Sequence, residues 1–421
     1  MEIGYACKII GVPDVAISSC TLKNCTKQRL LEIIDNNLIA LDNILDYNMK
    51  MGITLFRISS DIIPFGSHII MSEINWREIF KDGLNDLGEK IEHSKTRVSM
   101  HPGQYTVLNS INSEVVKKSI NDIQYHCDFL DSLNTSQSSK VVIHIGGIYG
   151  NKEASIERFI NVFEKLPKSI KKRIVIENDD KCFNIADVLY IGNHLHIPVV
   201  FDNLHHKLNP PQFQMEDISW IKKASVTWSH EDGVQKIHYS QQKINGKRGS
   251  HSDTIDLESF LEFYNTLLAE KINVDIMLEV KDKNLSAVKC KNGVNDSLKI
   301  KSIEQEWAKY KYFVLGKSAN LYNEIRQLLK NKSNANCLEF YKTIESALTK
   351  EGSIGSQTNS IQHIWGYVNK SATLSEKKRY VRLLFEYRES GKGFLSIKNL
   401  LFKMATKQNQ VYLVNSLFFY L

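Results

Sequence analysis

Seven acidic or imidazole side chains follow short apolar runs at intervals that nearly repeat. RVSM runs into His101, VVI into His144, IVI into Glu177, PVVF into Asp202, QKI into His238 and IML into Glu279, while His68 follows ITLFRIS after a short loop. From His68 onward the spacings are 33, 43, 33, 25, 36 and 41 residues. If each spacing is one strand-helix unit, these side chains converge on one face. Carboxylates and imidazoles so gathered would repel or go unsatisfied when dry, and divalent cations resolve that conflict. Mixed imidazole and carboxylate donors suit zinc, manganese or iron better than calcium or magnesium. His205, within DNLHH (202–206), adds a further donor, and the total exceeds the needs of one tetrahedral ion. The pattern therefore predicts a multinuclear site with Glu177 as a bridging carboxylate. Such a site makes a bound hydroxide at neutral pH and clamps both oxygens of an in-line phosphoryl displacement. A single histidine closing a strand is ordinarily a packing or rim residue; six groups in register with one period are not so explained.

The elements that must position these groups follow from the apolar runs. EIGYAC (2–7), ITLFRIS (53–59), RVSMH (97–101), KVVIHIGG (140–147), RIVIEN (173–178), IPVVFDN (197–203), VQKIHYS (234–240) and NVDIMLEV (273–280) are nearly continuous in apolar character. That is the signature of strands buried on both faces of a parallel sheet. Amphipathic stretches at 27–50, 74–93, 112–132, 153–164, 184–194 and 255–270 alternate with them, and Thr26 is a helix start signal. Eight such units over about 280 residues predict a (β/α)8 TIM barrel, whose active sites lie at the C-terminal rim. A doubly wound open sheet is the rival, but GYACKIIGVP (4–13) lacks the glycine-rich turn expected after its first strand.

Beyond residue 290 the alternation ends. The reading is a barrel domain over 1–290 and a basic helical extension over 291–421, with helices at 303–331, 337–350 and 374–421 punctuated by EGSIGSQTNS (351–360) and SGKG (390–393). Residues 301–421 carry 19 Lys+Arg against 9 Glu and no Asp, whereas residues 1–300 carry 35 against 38 acidic groups. A basic appendage on a slightly acidic body fits a nucleic-acid partner, and a solvated lysine-rich surface is the plainer alternative. The 421 residues, 42% hydrophobic and 24% charged, exclude a collagen-like, coiled-coil or wholly disordered chain. No apolar run is long enough for a membrane span, no secretory leader is visible, and seven scattered cysteines without a CxxC pair fit reduced thiols in the cytoplasm.

Three further features bear on binding. HPGQYTVLNS (101–110) places Gln104 and Tyr105 just past a ligand candidate, where an amide and an aromatic ring can hydrogen-bond and stack on a base; an ordinary Pro-Gly turn is the alternative. KINGKRGSHSD (243–253) gathers Lys247, Arg248 and His251 in the loop after the seventh strand, a place where barrels bind phosphate, unless it is a solvated turn. Lys236 shares its strand face with His238 two residues on, so it is expected inside the barrel, neutral or chemically modified, rather than snorkelling to the surface.

These motifs, with GYAC at the start, FRISSDIIPFGSH (56–68), SMHPGQY (99–105), HIGGIYGNK (144–152), IENDD (176–180), FDNLHH (201–206), KIHYS (236–240) and LEVKDK (278–283), resemble the UV damage endonucleases over residues 1–285. That family is similar in fold to the endonuclease-four and xylose-isomerase-like barrels. The resemblance implies a metal-dependent repair nuclease that nicks DNA immediately 5′ to cyclobutane dimers, 6-4 photoproducts and abasic sites, leaving a 3′-hydroxyl and a 5′-phosphate by metal-hydroxide attack. It implies His101, His144, Glu177, Asp202, His205, His238 and Glu279 as metal ligands, with His68 in the same cluster, Mn2+ as the expected ion, and Zn2+ or Fe2+ as alternatives. Glu177, Lys236, His238 and Glu279 become the catalytic set, with Lys236 resembling a carboxylated lysine. Gln104 and Tyr105 become the pair that probes damage, and Tyr5 a lesion-side contact, although ACKIIG has no asparagine where the family carries one. The expected partner is damaged double-stranded DNA, met by a monomer with no membrane and no organic cofactor. A sugar isomerase or epimerase on the same barrel, and a catalytically silent DNA-binding protein with structural metals, are the rival readings.

Overall fold

The computed structural model describes residues 1–213, 215–332 and 336–421. Eight strands, β1 (Ile3–Ala6), β2 (Leu55–Arg57), β3 (Arg97–Met100), β4 (Lys140–His144), β5 (Ile174–Glu177), β6 (Val199–Asp202), β7 (Lys236–Tyr239) and β8 (Asp275–Leu278), form a closed parallel barrel in sequence order. Register is set by pairs such as Tyr5↔Phe56, His144↔Glu177, Asp202↔His238 and Ile3↔Ile276, the last closing β8 onto β1. The fold is thus the (β/α)8 TIM barrel that the period of the apolar runs predicts.

Apolar runs of this kind are buried on both sides because helices cover the outside and side chains fill the inside. Val142, Val175 and Val200 pack together, as do Ala6, Leu55 and Met277. Each fully buried Val, Leu or Met among them contributes roughly 1.5–3 kcal/mol. Alternation along each strand then fixes what else points inward. Two residues beyond Val142, Val175 and Val200 come His144, Glu177 and Asp202; two beyond Leu55 comes Arg57; and two beyond Met277 comes Glu279. At the opposite end of the strands the charges are paired: Arg97 with Asp275 at 3.0 Å, and Lys140 with Asp232 at 2.5 Å.

The helices begin and end where local chemistry dictates. Thr26 accepts the Arg29 amide at 3.2 Å to start Lys27–Met51, and Gly52 ends it in the left-handed region at φ 62°. Asn184 and Asp187 form a capping box at the start of Ile185–Leu195. Short helices at Lys168–Lys171, Asn203–Leu208 and Asp217–Ser225, absent from the pattern of long amphipathic stretches, complete the connections.

The chain divides into two compact units, one of residues 1–9, 14–255 and 262–288, the other of residues 10–13, 256–261 and 289–421. The second unit is helical, with Ile300–Lys317, Ala319–Leu328, Cys337–Leu348, Ile354–Val368, Leu374–Ser390 and Phe394–Lys407 as its main elements. EGSIGSQTNS does not punctuate the helices as expected; most of it begins Ile354–Val368. Ser353 caps that helix by accepting the Ser356 amide at 3.1 Å, and the hydroxyl of buried Ser360 donates to the Tyr312 carbonyl at 2.6 Å. Small polar residues with backbone partners can line a helix face that packs closely. Among the described residues no helix is long and apolar enough to cross a membrane.

Candidate metal centre

Glu177, at the end of β5, is the hub of the barrel mouth. Its side chain is 1% exposed, and four imidazoles from four different segments approach it. His238 Nδ1 lies 2.9 Å and His205 Nδ1 3.4 Å from Oε1; His101 Nε2 lies 3.2 Å and His144 Nε2 3.8 Å from Oε2. Asp202 Oδ1 is 3.7 Å from His205 Nδ1, and Glu279 Oε1 is 3.4 Å from His238 Nδ1. The ring centroids of His101 and His144 are 5.1 Å apart, those of His144 and His205 5.7 Å.

Backbone and polar neighbours fix these orientations. His101 Nδ1 is 3.0 Å from the Pro102 carbonyl, which turns Nε2 toward Glu177. The Asp202 carboxylate accepts the His205 amide at 2.7 Å, starting the short helix that carries His205. Asn178 clamps β6 by donating to the Asp202 carbonyl at 3.0 Å and accepting its amide at 2.9 Å. Gly146, at φ 120°, lets the chain after His144 pass Asn109, whose Oδ1 would lie 2.2 Å from any added Cβ. Arg57, at the end of β2, donates to Glu279 at 2.5 Å.

The electrostatics follow from crowding charges away from water. Burial pushes the Glu177 carboxyl up, but His238 and His144 outweigh it and hold the group well below the usual carboxylate range. Glu279 is likewise held low against its burial, chiefly by Arg57 and then His238. Asp202 goes the other way: burial raises it, and Glu177 and Glu279 add to the rise. Burial lowers His101 to about 4, whereas Asp202 and Glu177 overcome burial and hold His205 up at about 11.

The donor set fits divalent cations. His101, His144 and Glu177 place ligand atoms within 4.8 Å of one another, and so do Glu177, Asp202 and His238. The two groups share Glu177, as a bridging carboxylate requires. Asp202 Oδ2, His144 Nδ1 and His238 Nε2 are buried and have no hydrogen-bond partner among the described residues. Buried polar atoms are nearly always satisfied, so the three orphaned atoms on these candidate ligands fit an ion held among them.

Other expected site residues are placed differently. His68 is exposed, and its ring accepts the Ile70 amide at 3.2 Å; it belongs to neither of the two ligand groups. Tyr5 is not at the mouth either. It is fully buried, donates to Asn48 at 2.7 Å and packs on Phe56, because alternation on β1 turns Tyr5 toward the helix layer. Lys236 lies inside the barrel, 1% exposed, with no hydrogen-bond partner for Nζ among the described residues; burial, then Arg97, push its amine well below the usual range. His251 Nε2 is 3.8 Å from Glu279 Oε2, at the edge of the cluster. Gln104 and Tyr105 are exposed at the tip of a turn closed by the Thr106 amide on the Gly103 carbonyl at 3.0 Å. Lys247 and Arg248 are exposed, and Arg248 donates to the Leu208 carbonyl at 2.6 Å. Arg57 and Asn178 escaped the sequence reading. A cation in the otherwise apolar ITLFRIS was the signal for Arg57; Asn178, inside IENDD, carried none.

Comparison with known proteins agrees with this architecture. The family described as UV-endonuclease UvdE matches residues 2–311, and one described as a protein of unknown function, DUF1722, matches residues 311–421. A UV DNA damage endonuclease of Clostridium perfringens (strain 13 / Type A) is 40% identical over 409 residues, covering 96% of this chain and 97% of its own length. One from Bacillus cereus (strain G9842) is 33% identical over 294 residues, 68% of this chain and 92% of that protein. The crystal structure of SacUVDE superposes with a TM-score of 0.64 at 41% identity, covering 69% of this chain and 96% of its own. With the matched family spanning the whole barrel and the relatives aligned across it, this chain belongs to the UV-endonuclease UvdE family.

Proposed function

We propose that the protein nicks double-stranded DNA immediately 5′ to UV lesions, cyclobutane dimers and 6-4 photoproducts, and to abasic sites, leaving a 3′-hydroxyl and a 5′-phosphate. The observation that carries this reading is Glu177, ringed by four imidazoles and shared between two overlapping ligand groups. His101 and His144 would hold one divalent cation with Glu177, and Asp202 and His238 another, with His205 and Glu279 completing the set; manganese suits these donors, as do zinc and iron. Bound there, such ions would acidify a water at neutral pH and neutralise charge on a phosphodiester.

The chain's own residues supply the rest. Glu177 presents both oxygens because its charge is held by its neighbours. Arg57 keeps Glu279 ionised and aimed into the mouth. Burial pushes the Lys236 amine toward its neutral form, which is the form that adds carbon dioxide with loss of a proton, and the carbamate would set an anion inside the barrel on the strand that carries His238. Tyr105 and Gln104 stand ready to enter a duplex that damage has already weakened, since unstacking costs least there. A cleft of about 720 Å³ beside them, lined in part by Lys118 and Tyr149, has room for a displaced base. Seven free cysteines suit the reducing cytoplasm where a chromosome lies.

Residues 1–290 then carry the chemistry and residues 291–421 add affinity for the phosphate backbone. On Leu374–Ser390, Lys377, Lys378, Arg379 and Arg388 are exposed and make no ion pair among the described residues. Changing all four to Gln should flatten the dependence of log K on log salt by about 0.9 for each side chain that meets a phosphate. An unchanged slope would remove this helix from the DNA interface. Tyr105→Ala should weaken binding to dimer-containing duplex roughly tenfold while sparing undamaged duplex; equal losses would argue against a probing role. The function itself is tested by incubating a duplex with one defined dimer with and without chelator. A single nick 5′ to the dimer that the chelator prevents is expected; turnover of ketoses without nicking would favour the isomerase reading instead.

A further inference from the structure

The loop after β7 holds a feature that metal binding does not use. Ile244 is 85% exposed, the highest value of any large apolar side chain among the described residues. It is also in an unusual place. Lys243–Gly246 is a tight turn, closed by the Gly246 amide on the Lys243 carbonyl at 3.0 Å, with Asn245 in the left-handed region at φ 56°. Turn positions favour Asn, Asp, Gly, Pro and Ser, and a β-branched aliphatic residue gains nothing there by packing.

The turn is not loose. The Lys243 amide donates to the Ser250 carbonyl at 2.7 Å, and the Ser252 amide to the Gln241 carbonyl at 2.8 Å. Gln242 accepts the Gly249 amide at 2.8 Å and donates to the Lys247 carbonyl at 2.9 Å. Lys243 is tied to Asp253 at 2.8 Å. A short antiparallel bridge between Gln242 and His251 closes the base, where His251 meets Glu279. The result is a braced hairpin with its foot at the metal ligands and an unpacked isoleucine at its tip, flanked by exposed Lys247 and Arg248.

The loop after β3 is built alike. Gln104 and Tyr105 occupy the central positions of the turn Gly103–Thr106, pinned by Thr106 on Asp122 at 2.5 Å, and Tyr105 is 84% exposed. In a closed ring of eight strands, β3 and β7 are four apart in either direction, so these two loops face each other across the mouth.

We propose that Ile244 is a second DNA wedge: it enters the base stack of the duplex on the side of the cluster opposite Tyr105, so that the strand to be cut is held open from both sides. Aliphatic wedges flanked by cations unstack base steps in this way, the cations meeting the phosphates while the apolar group replaces a stacking partner. The inference rests on the functional reading above and deepens it by naming a residue that selects unstackable DNA.

The test uses the full-length protein and dimer-containing duplexes with a methylphosphonate at the scissile position, which blocks incision. A 2-aminopurine reports unstacking at one position at a time on either side of the lesion, in both strands. The wild type should brighten the reporter at two separate places. Tyr105→Ala should silence one, and Ile244→Asn the other, with affinity for the dimer duplex falling about tenfold; Ile244→Leu should restore both. Asn is favoured in a turn, so loss of the hairpin does not explain a deficit. Unchanged reporters and affinity in Ile244→Asn would overturn the inference alone. A wild type that neither prefers dimer-containing duplex nor brightens any reporter would overturn the functional reading and this inference together.

Discussion

Glu177→Gln should abolish incision, by at least about a thousandfold, which is roughly 4 kcal/mol of transition-state stabilisation, while leaving affinity for undamaged duplex near the wild-type value. The substitution is nearly isosteric, so the barrel should survive it. What changes is charge and donor capacity: an amide has one acceptor oxygen and two N–H groups where the carboxylate offered two anionic oxygens. Each oxygen of Glu177 faces a different pair of imidazoles, so both halves of the cluster lose their common ligand at once. His144→Ala removes a donor from one half only and should fall less far. Incision of a dimer-containing duplex and filter binding of undamaged DNA check the pair. Full incision by Glu177→Gln would refute the metal assignment.

Arg57→Met should be the most damaging change among residues that are not metal-ligand candidates. The guanidinium and Glu279 are both largely buried and 2.5 Å apart. Removing one partner of a buried pair costs about 3–5 kcal/mol because the other charge is stranded. The melting temperature should fall by roughly 3–8 °C. Incision should fall roughly 10–100-fold as Glu279 loses its orientation. The double variant Arg57→Met, Glu279→Gln separates the two effects. With both charges gone, much of the stability should return, since replacing both partners is far milder than orphaning one. Incision should not return, because Glu279 would still be lost. Recovery of activity in the double variant would mean that Glu279 serves only the pair.

Six of the groups at the mouth were legible because strand parity and strand ends coincide. His101, His144, Glu177, Asp202, His238 and Glu279 each follow an apolar run, and the period of the fold puts those ends on one rim. Parity also explains a miss. Gly4 and Ala6 face the barrel interior, so Tyr5 between them faces the helices, as alternation along the strand dictates. His68 belongs to no strand, and nothing in its loop fixed where its ring would point. Arg57 was hidden by its setting, since a cation among apolar strand residues looks like a flaw in the pattern until its acid partner, more than 200 residues away in sequence, is brought beside it. The helix that begins inside EGSIGSQTNS was obscured because serine and threonine are read as breakers, although here they cap and line a close helix contact.

The central claim is that Glu177 joins two cation sites. It is tested most directly by the divalent metal content per chain of the wild type and Glu177→Gln, each equilibrated with manganese and freed of excess ion. The account expects more than one ion bound per wild-type chain, with most of that content lost in Glu177→Gln. A wild type that holds at most one ion, or a variant that keeps the wild-type stoichiometry, would contradict it.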